Sequence, residues 1–400
     1  MSIFEPDDPA FLQNPYPVYQ HLLAETPTFY HEDSQLWFFT RHHDVDAILR
    51  DRRFGRSILH LMSREELDIP PPNAAYEPFH KLGQHSMFDK EPPEHTRLRT
   101  LVHKAFTPRR IRDMQHSIEA IAQNLVDSMQ QREQVDLLAD YAAPLSVRVI
   151  AELLGIPEAD QHRLRPWSNA IVKLYELDHT PAQADHAIQA SQEFADYLKF
   201  LARKRREQPR DDLITALVMV EEAGDQLSED EYVSTCVLLL NAGHEATVNV
   251  VGNGWLALFR HPQQLEKLRA NPELVPTAIE EFMRYDSPLQ MFRRWILEDM
   301  TYDGLPLKKG MQVGLIFGAA NHDPAVFQQP ASLDITRSPN PHISFGGGIH
   351  YCLGAPLARM ELQVAYQTLL AHLPAMQLAA DPTFNPAFVI HGLKELQVTL

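Results

Sequence analysis

The stretch Phe345–Arg359, FGGGIHYCLGAPLAR, decides how the rest of the chain is read. Three consecutive glycines lead to Cys352, one of two cysteines in 400 residues. Glycine lets backbone approach another body closely and take up φ > 0 without steric penalty. Leu353-Gly354-Ala355-Pro356 reads as a helix start, because the missing N–H of proline costs nothing in a first turn. Cys352 is therefore expected at a helix N-terminus, where the macrodipole and unbonded N–H groups favour a thiolate. A thiolate on a glycine-lined shelf suits a flat metal cofactor. The sulfur alone also admits a buried structural cysteine. A nucleotide loop would need a Walker lysine or a strand–GxGxxG–helix arrangement, and neither is present. A CxxC redox or zinc site would need a second cysteine nearby.

Phe345-Gly346-x-Gly348-x-His350-x-Cys352-x-Gly354, followed by Leu357-Ala358-Arg359, resembles the signature of cytochrome P-450 haem-thiolate monooxygenases. The resemblance extends over essentially the whole chain. It implies one mainly α domain, residues 1–400, with a small β-rich part. It implies haem b, with Cys352 as the axial ligand of its iron. Phe345, Gly346 and Gly354 would line the cofactor, and His350 would aid its propionates. Dioxygen would be the co-substrate.

Composition is compatible with this. Hydrophobic residues at 44% and charged ones at 22% are ordinary for a globular protein, and no linker, repeat or low-complexity tract divides the chain. The start, MSIFEPDDPAF, lacks the basic-then-apolar pattern of a signal peptide. No apolar run approaches the ~20 residues of a membrane span. Two distant cysteines argue against a disulfide scaffold. The expectation is a cytoplasmic monomer. A net charge of −17 disfavours nucleic acid and anionic membranes. One stretch opposes that charge: between Glu94 and Asp113 there are no acids, but Arg97, Arg99, Lys104, Arg109, Arg110 and Arg112 occur. Such a run is often a solvated helix face. In the resembled family it covers the side where an acidic ferredoxin docks, so ferredoxin and ferredoxin reductase are the expected donors, drawing on NAD(P)H.

In chain order, Tyr19–Leu23 after Asn14-Pro15-Tyr16-Pro17 reads as a short first helix, Leu36–Thr40 as a strand and His43–Arg50 as a helix. His42 and His43 are taken as surface residues. Ile58–Asp89, with Pro70-Pro71-Pro72, reads as a long loop, which by resemblance lids the substrate pocket with Leu61, Met62, Met87 and Phe88 as apolar candidates. His95 and Arg99 stand four apart on one helix face. Propionates need cationic or N–H donors, and PPEHTRLR resembles the family's propionate-binding helix start. Ile111–Gln131, Leu145–Leu154, Pro157–Glu176 and Ala182–Arg206 show helical periodicity. Residues near Trp167–Tyr175 and Asp178–Ala184 would roof the pocket.

A long helix is expected from about Ser228 to His261, opened by capping-box spacing and ended by His261-Pro262. Within it, Ala242, Gly243 and Glu245 interrupt an apolar run. A carboxylate there carries a cost unless it is used or reaches solvent. The small pair would let the helix pass close over a flat cofactor, and Glu245 would feed protons inward. The segment resembles the family's A-G-x-[DE]-T-T motif with one departure: its first threonine, which serves oxygen activation, is Ala246. Thr247 lies one helical step away, about 100° round the axis. Thr247 with water, a substrate hydroxyl, or leaky peroxide release are the three ways this could work.

Glu281 and Arg284, spaced i,i+3, resemble the family's E-x-x-R lock. Arg294, five residues before Asp299, matches the remaining propionate arginine, with Arg293 the competing choice. The implied pocket residues are Met87, Leu239, Ala246, Leu289, Met291 and Val389. Asp303-Gly304 signals a hairpin, Met311–Phe317 a buried strand, and a final strand pair closes the chain. Two alternatives stay open: a peroxygenase using hydrogen peroxide directly, and a haem-binding sensor without turnover.

Overall fold

The computed structural model describes residues 3–174 and 180–400. Helices dominate it, and its strands gather into small sheets. The chain divides into two compact units: Met1–Ile58, Glu119–Leu145 and Ala246–Leu400 form one, Leu59–Ile118 and Ser146–Glu245 the other.

In the first unit a five-stranded sheet runs in the order Thr28–His31, Leu36–Phe39, Gln312–Ile316, Met291–Ile296, Phe54–Gly55. Leu36–Phe39 and Gln312–Ile316 are parallel, and the other neighbours antiparallel. Successive side chains of a strand alternate faces. Phe38 thus enters one apolar cluster with Phe4, Phe11, Tyr19 and Met291, while Phe39 enters another with Val45, Ile48 and Val313. Each such ring contributes about 1.5–3 kcal/mol when fully buried. At Gly314, opposite Phe38, a Cβ would stand 2.3 Å from the ring, so only glycine lets the ring lie on the neighbouring strand. Asp303 and Gly304, with φ of 47° and 81°, join Met300–Tyr302 to Leu305–Leu307 as the expected hairpin. The closing strands Gln377–Leu378 and Gln397–Thr399 pair with each other, and the latter also pairs with Gln134–Asp136.

The second unit is helical. Its longest complete helix, Pro181–Glu207, opens with a capping box, Thr180 N donating to Gln183 Oε1 at 2.8 Å and Gln183 N to Thr180 Oγ1 at 3.3 Å. Near its other end buried Arg205 donates to Asp212 and, through Nη2 at 2.7 Å, to the Gly155 carbonyl. The expected long helix spans Glu229–Arg260, its first half in this unit and its second half in the other. Ser228 N donates to Glu231 Oε2 at 2.8 Å and Glu231 N to Ser228 Oγ at 3.2 Å, the capping box read from sequence.

Several boundaries differ from expectation. A helix Pro9–Gln13, capped by Asp8, precedes Tyr16–Glu25. The stretch 58–89 holds a helix, Glu77–Gln84, with 3₁₀ turns on either side. Only Leu82 of that helix is buried, and Phe79 and Tyr76 pack on Leu174, Ala184 and Ala187. Tertiary contact therefore stabilises it, and local periodicity was too short to reveal it. Ile111–Gln131 is two helices, Pro108–Asp113 and Gln115–Met129, and Pro157–Glu176 is Glu158–Gln161 followed by Leu164–Lys173. Of the expected pocket roof, residues 175–179 lie outside the described residues. His43 is exposed as expected, but His42 is half-buried with Nε2 2.8 Å from the Pro341 carbonyl.

Candidate functional site

The cysteine loop is closed by its own backbone. Cys352 N donates to Phe345 O at 3.0 Å, Gly346 N to Ile343 O at 2.8 Å and Tyr351 N to Gly348 O at 3.2 Å. Gly346 and Gly348 take φ of 71° and 64°, and a Cβ at Gly348 would meet the Leu49 carbonyl oxygen at 2.2 Å. These two positions need glycine for conformation, and the second also for space. The helix Ala355–His372 begins just after, with Pro356 in its first turn, so half-buried Cys352 precedes a helix N-terminus as read from sequence. Gly354, the N-cap of that helix, adjoins the sulfur: a Cβ there would lie 3.9 Å from Cys352 Sγ, an ordinary contact distance.

A charged brace supports the loop from behind. The Arg359 guanidinium lies over the Phe345 ring at 4.4 Å. It donates to both oxygens of Glu280, at 2.7 and 2.8 Å, and His342 Nε2 lies 3.0 Å from the same carboxylate. Burial works to raise the Glu280 carboxyl, but hydrogen bonds from Arg359 and His342 outweigh it and hold the pKa down at about 2. The same bond to Glu280 raises the Arg359 guanidinium. Arg359 stood inside the quoted motif without an assigned role, and Glu280 and His342 were not singled out.

One residue on, Glu281 and Arg284 are fully buried and paired through two bonds of 2.8 Å. Arg284 also donates to the carbonyls of Asn321, Pro330 and Ser332, while Glu281 accepts from Asp334 N and Arg337 Nε. The pair thus gathers the irregular segment 321–337 ahead of the cysteine loop. Its charges cost desolvation, which only such complete bonding offsets.

Strand alternation settles which arginine is inside. In Met291–Ile296, Arg294 is buried and donates to the Arg293 carbonyl at 3.0 Å, whereas Arg293 is exposed. His350 is half-buried on the 3₁₀ turn Gly348–His350. Thr247 is buried, and Ala246 before it is exposed. Leu289 is half-buried, and Val389 is 44% exposed. Met291, expected in the pocket, is instead a core residue, packed in the cluster of Tyr19, Phe38 and Ile316.

The remaining candidates lie in the second unit. His95 is buried and Arg99 half-buried, one turn apart on the helix Glu94–Ala105. Met87 is buried, and Leu239 and Glu245 are half-buried. Ala242 is exposed, as is Ala246 one turn further along the long helix. Gly243 has a close neighbour within its own unit. A Cβ there would come within 2.7 Å of Ile150 Cδ1, so its smallness serves packing against that side chain. His244, buried with Nδ1 2.9 Å from the Leu240 carbonyl, has its pKa lowered first by burial and is a neutral donor.

Within the first unit the donors suit haem: a half-buried thiol just before a helix N-terminus and the buried Arg294 guanidinium. The family model for cytochrome P450 matches residues 166–375, just over half of the chain. This chain is a cytochrome P-450. It is 41% identical to the polyketide biosynthesis cytochrome P450 PksS of Bacillus subtilis, over 100% of this chain and 98% of that protein. It is 40% identical to the biotin biosynthesis cytochrome P450 of the same species, over 97% of each. A solved structure of P450BioI in complex with hexadec-9Z-enoic acid ligated acyl carrier protein superimposes with a TM-score of 0.89 at 39% identity, covering 98% and 99% of the two chains. A second, CYP267B1 in complex with myristic acid, gives 0.87 at 37%, covering 98% and 97%. The P-450 is thus a monooxygenase that uses haem b and dioxygen, an oxidoreductase by class. No helix among the described residues is long and apolar enough to cross a membrane.

Proposed function

We propose that this P-450 inserts one atom of dioxygen into an apolar organic substrate by hydroxylation or epoxidation. Electrons come from NAD(P)H through ferredoxin reductase and a ferredoxin-type partner in the cytoplasm. The observation that carries the reading is the braced loop presenting Cys352: Cys352 N bonded to Phe345 O, with Arg359 over the Phe345 ring. Haem, when bound, supplies the oxygen-activating redox chemistry, tuned by the thiolate.

The chain's own residues do the rest. Cys352 is the iron ligand, and Phe345, Gly346 and Gly354 line its side. His95, Arg99, Arg294 and His350 hold the propionates by charge-assisted bonds. Ala242 and Gly243 keep the long helix slim. Glu245 moves protons inward, and Thr247 with ordered water holds them, because Ala246 offers no hydroxyl. Leu239, Ala246, Leu289, Val389 and Met87 exclude water from an apolar pocket. Two relatives bound to fatty acyl chains make myristic acid the first probe.

The docking surface for the donor is narrower than the basic stretch in sequence. Arg97 pairs with Asp225 and Glu231, and Arg110 with Asp211. Arg109, 86% exposed, reaches Asp113 only at 3.6 Å, and Arg112 is exposed. These last two supply the long-range attraction. Turnover with a ferredoxin should fall with rising salt and with Arg109→Glu; indifference to both would remove this docking surface. The core reading is tested by the ferrous carbonyl adduct of the purified protein. A thiolate-type Soret band and oxygenated product from myristic acid support it, a histidine-type band refutes it, and peroxide-driven turnover without ferredoxin would favour a peroxygenase.

A further inference from the structure

The turn Val389–Gly392 is anchored on three sides within its unit. The Val389 carbonyl accepts from Gln290 N at 2.9 Å, His391 N donates to Pro288 O at 2.8 Å, and Leu289 and Ile390 form an isolated antiparallel bridge. A bridge one pair long orients a turn weakly, so side chains must complete the hold. His391 is 3% exposed, and its ring stacks on Phe384 with centroids 3.9 Å apart. Its Nδ1 lies 2.9 Å from Asp286 Oδ1. An ionised carboxylate only accepts, so Nδ1 carries the proton.

Asp286 caps the helix that bears the Glu281–Arg284 pair, and Tyr16 Oη donates to it at 2.7 Å. Burial, then the charge of Asp286, keeps the Tyr16 hydroxyl protonated. From the long helix, Asn253 Nδ2 donates to the His391 carbonyl at 3.0 Å. One turn earlier, Asn249 closes on Gly392, where a Cβ would stand 2.1 Å from its Oδ1. The foot of the turn is therefore rigid and polar, while its tip, Val389, is exposed.

We propose that His391 is a specificity-positioning residue: held between Asp286 and Phe384, it sets where Val389 and Leu289 stand as walls met by substrate. The inference rests on the monooxygenase reading, which puts those two side chains in the pocket. His391 acts through the Leu289–Ile390 bridge and touches no substrate. Truncating it releases the turn, and the walls shift relative to the haem while the cysteine loop, braced by other residues, stays in place.

The test uses the haem-loaded enzyme and two iron-binding probes. Imidazole reports access to iron alone; 4-phenylimidazole adds a ring that meets the walls. His391→Ala and Asp286→Ala should each change the ratio of the two Kd values by about tenfold, the size of a methylene-scale misfit, with the imidazole Kd unmoved. His391→Asn, whose amide nitrogen sits where Nδ1 does, and Asp286→Asn, which keeps an Oδ1 acceptor, should hold the wild-type ratio. A ratio unchanged in both Asp286→Ala and His391→Ala, or equal in His391→Asn and His391→Ala, overturns the proposal even if every variant melts lower. Should His391→Ala fail to take up haem, Asp286→Ala against Asp286→Asn decides by the same ratio. A wild-type protein without a thiolate-type carbonyl band would refute the monooxygenase reading instead.

Discussion

Replacing Glu280 by glutamine removes the charge that braces the cysteine loop. The carboxyl titrates near 2 in the folded chain against an ordinary 4.5. At about 1.36 kcal/mol per tenfold in proton affinity, that gap corresponds to about 3 kcal/mol of stabilisation by the ionised form. The side chain is 28% exposed, and solvent screening brings the expectation to about 2 kcal/mol. The sign follows from linkage: a depressed carboxyl stabilises the fold fully above 4.5, and the contribution disappears as pH falls through 4.5 towards 2. Urea unfolding of the wild type and Glu280→Gln at a series of pH values from 7 downwards reads this directly. The two should differ by about 2 kcal/mol from pH 7 to 5, and the gap should begin to close below pH 4.5. With Arg359 released from Glu280, the Phe345 ring also loses its cation, so the variant's carbonyl adduct should decay from the thiolate-type band sooner. A difference under about 0.5 kcal/mol at pH 7, or a gap that stays constant as pH falls, would refute the reasoning.

Arg284→Leu leaves the buried Glu281 carboxylate and three carbonyls short of their donor, and should cost on the order of 3–5 kcal/mol in denaturant titrations. Gly348→Ala forces a Cβ to 2.2 Å from the Leu49 oxygen at positive φ, so haem incorporation during expression should fall sharply; wild-type yield would contradict the close approach. Glu245→Gln should slow product formation and raise peroxide released per NAD(P)H oxidised, whereas unchanged coupling would remove Glu245 from the proton route. Ala246→Thr, by restoring a hydroxyl, should lower that peroxide ratio.

The site was legible where its chemistry is written in consecutive residues. Cys352 with its glycines, the Ser228/Glu231 capping box, and Glu281 with Arg284 each depend on near neighbours in the chain, and each has the expected geometry. Gly243 meets a neighbour that local spacing does not reveal, Ile150, 93 positions earlier, whose Cδ1 a Cβ would approach to 2.7 Å. Met291 was read as a pocket wall from the resemblance, but it packs into the core with Tyr19, Phe38 and Ile316, residues far from it in the chain. The helix Glu77–Gln84 escaped notice for the same kind of reason, being held by Leu174, Ala184 and Ala187.

By itself the sequence determined the glycine-rich turn that carries Cys352 to a helix start, the long helix, and the i,i+3 pairing of Glu281 with Arg284, since local spacing places those groups whatever the surroundings. Only the tertiary structure decided that Arg294 rather than Arg293 is buried, that Glu280 and His342 join Arg359 behind the loop, and that His391 is held by Asp286 and Tyr16. Those partners lie tens to hundreds of residues apart. Their meeting is set by how strands register and helices pack, and no short stretch of sequence encodes it.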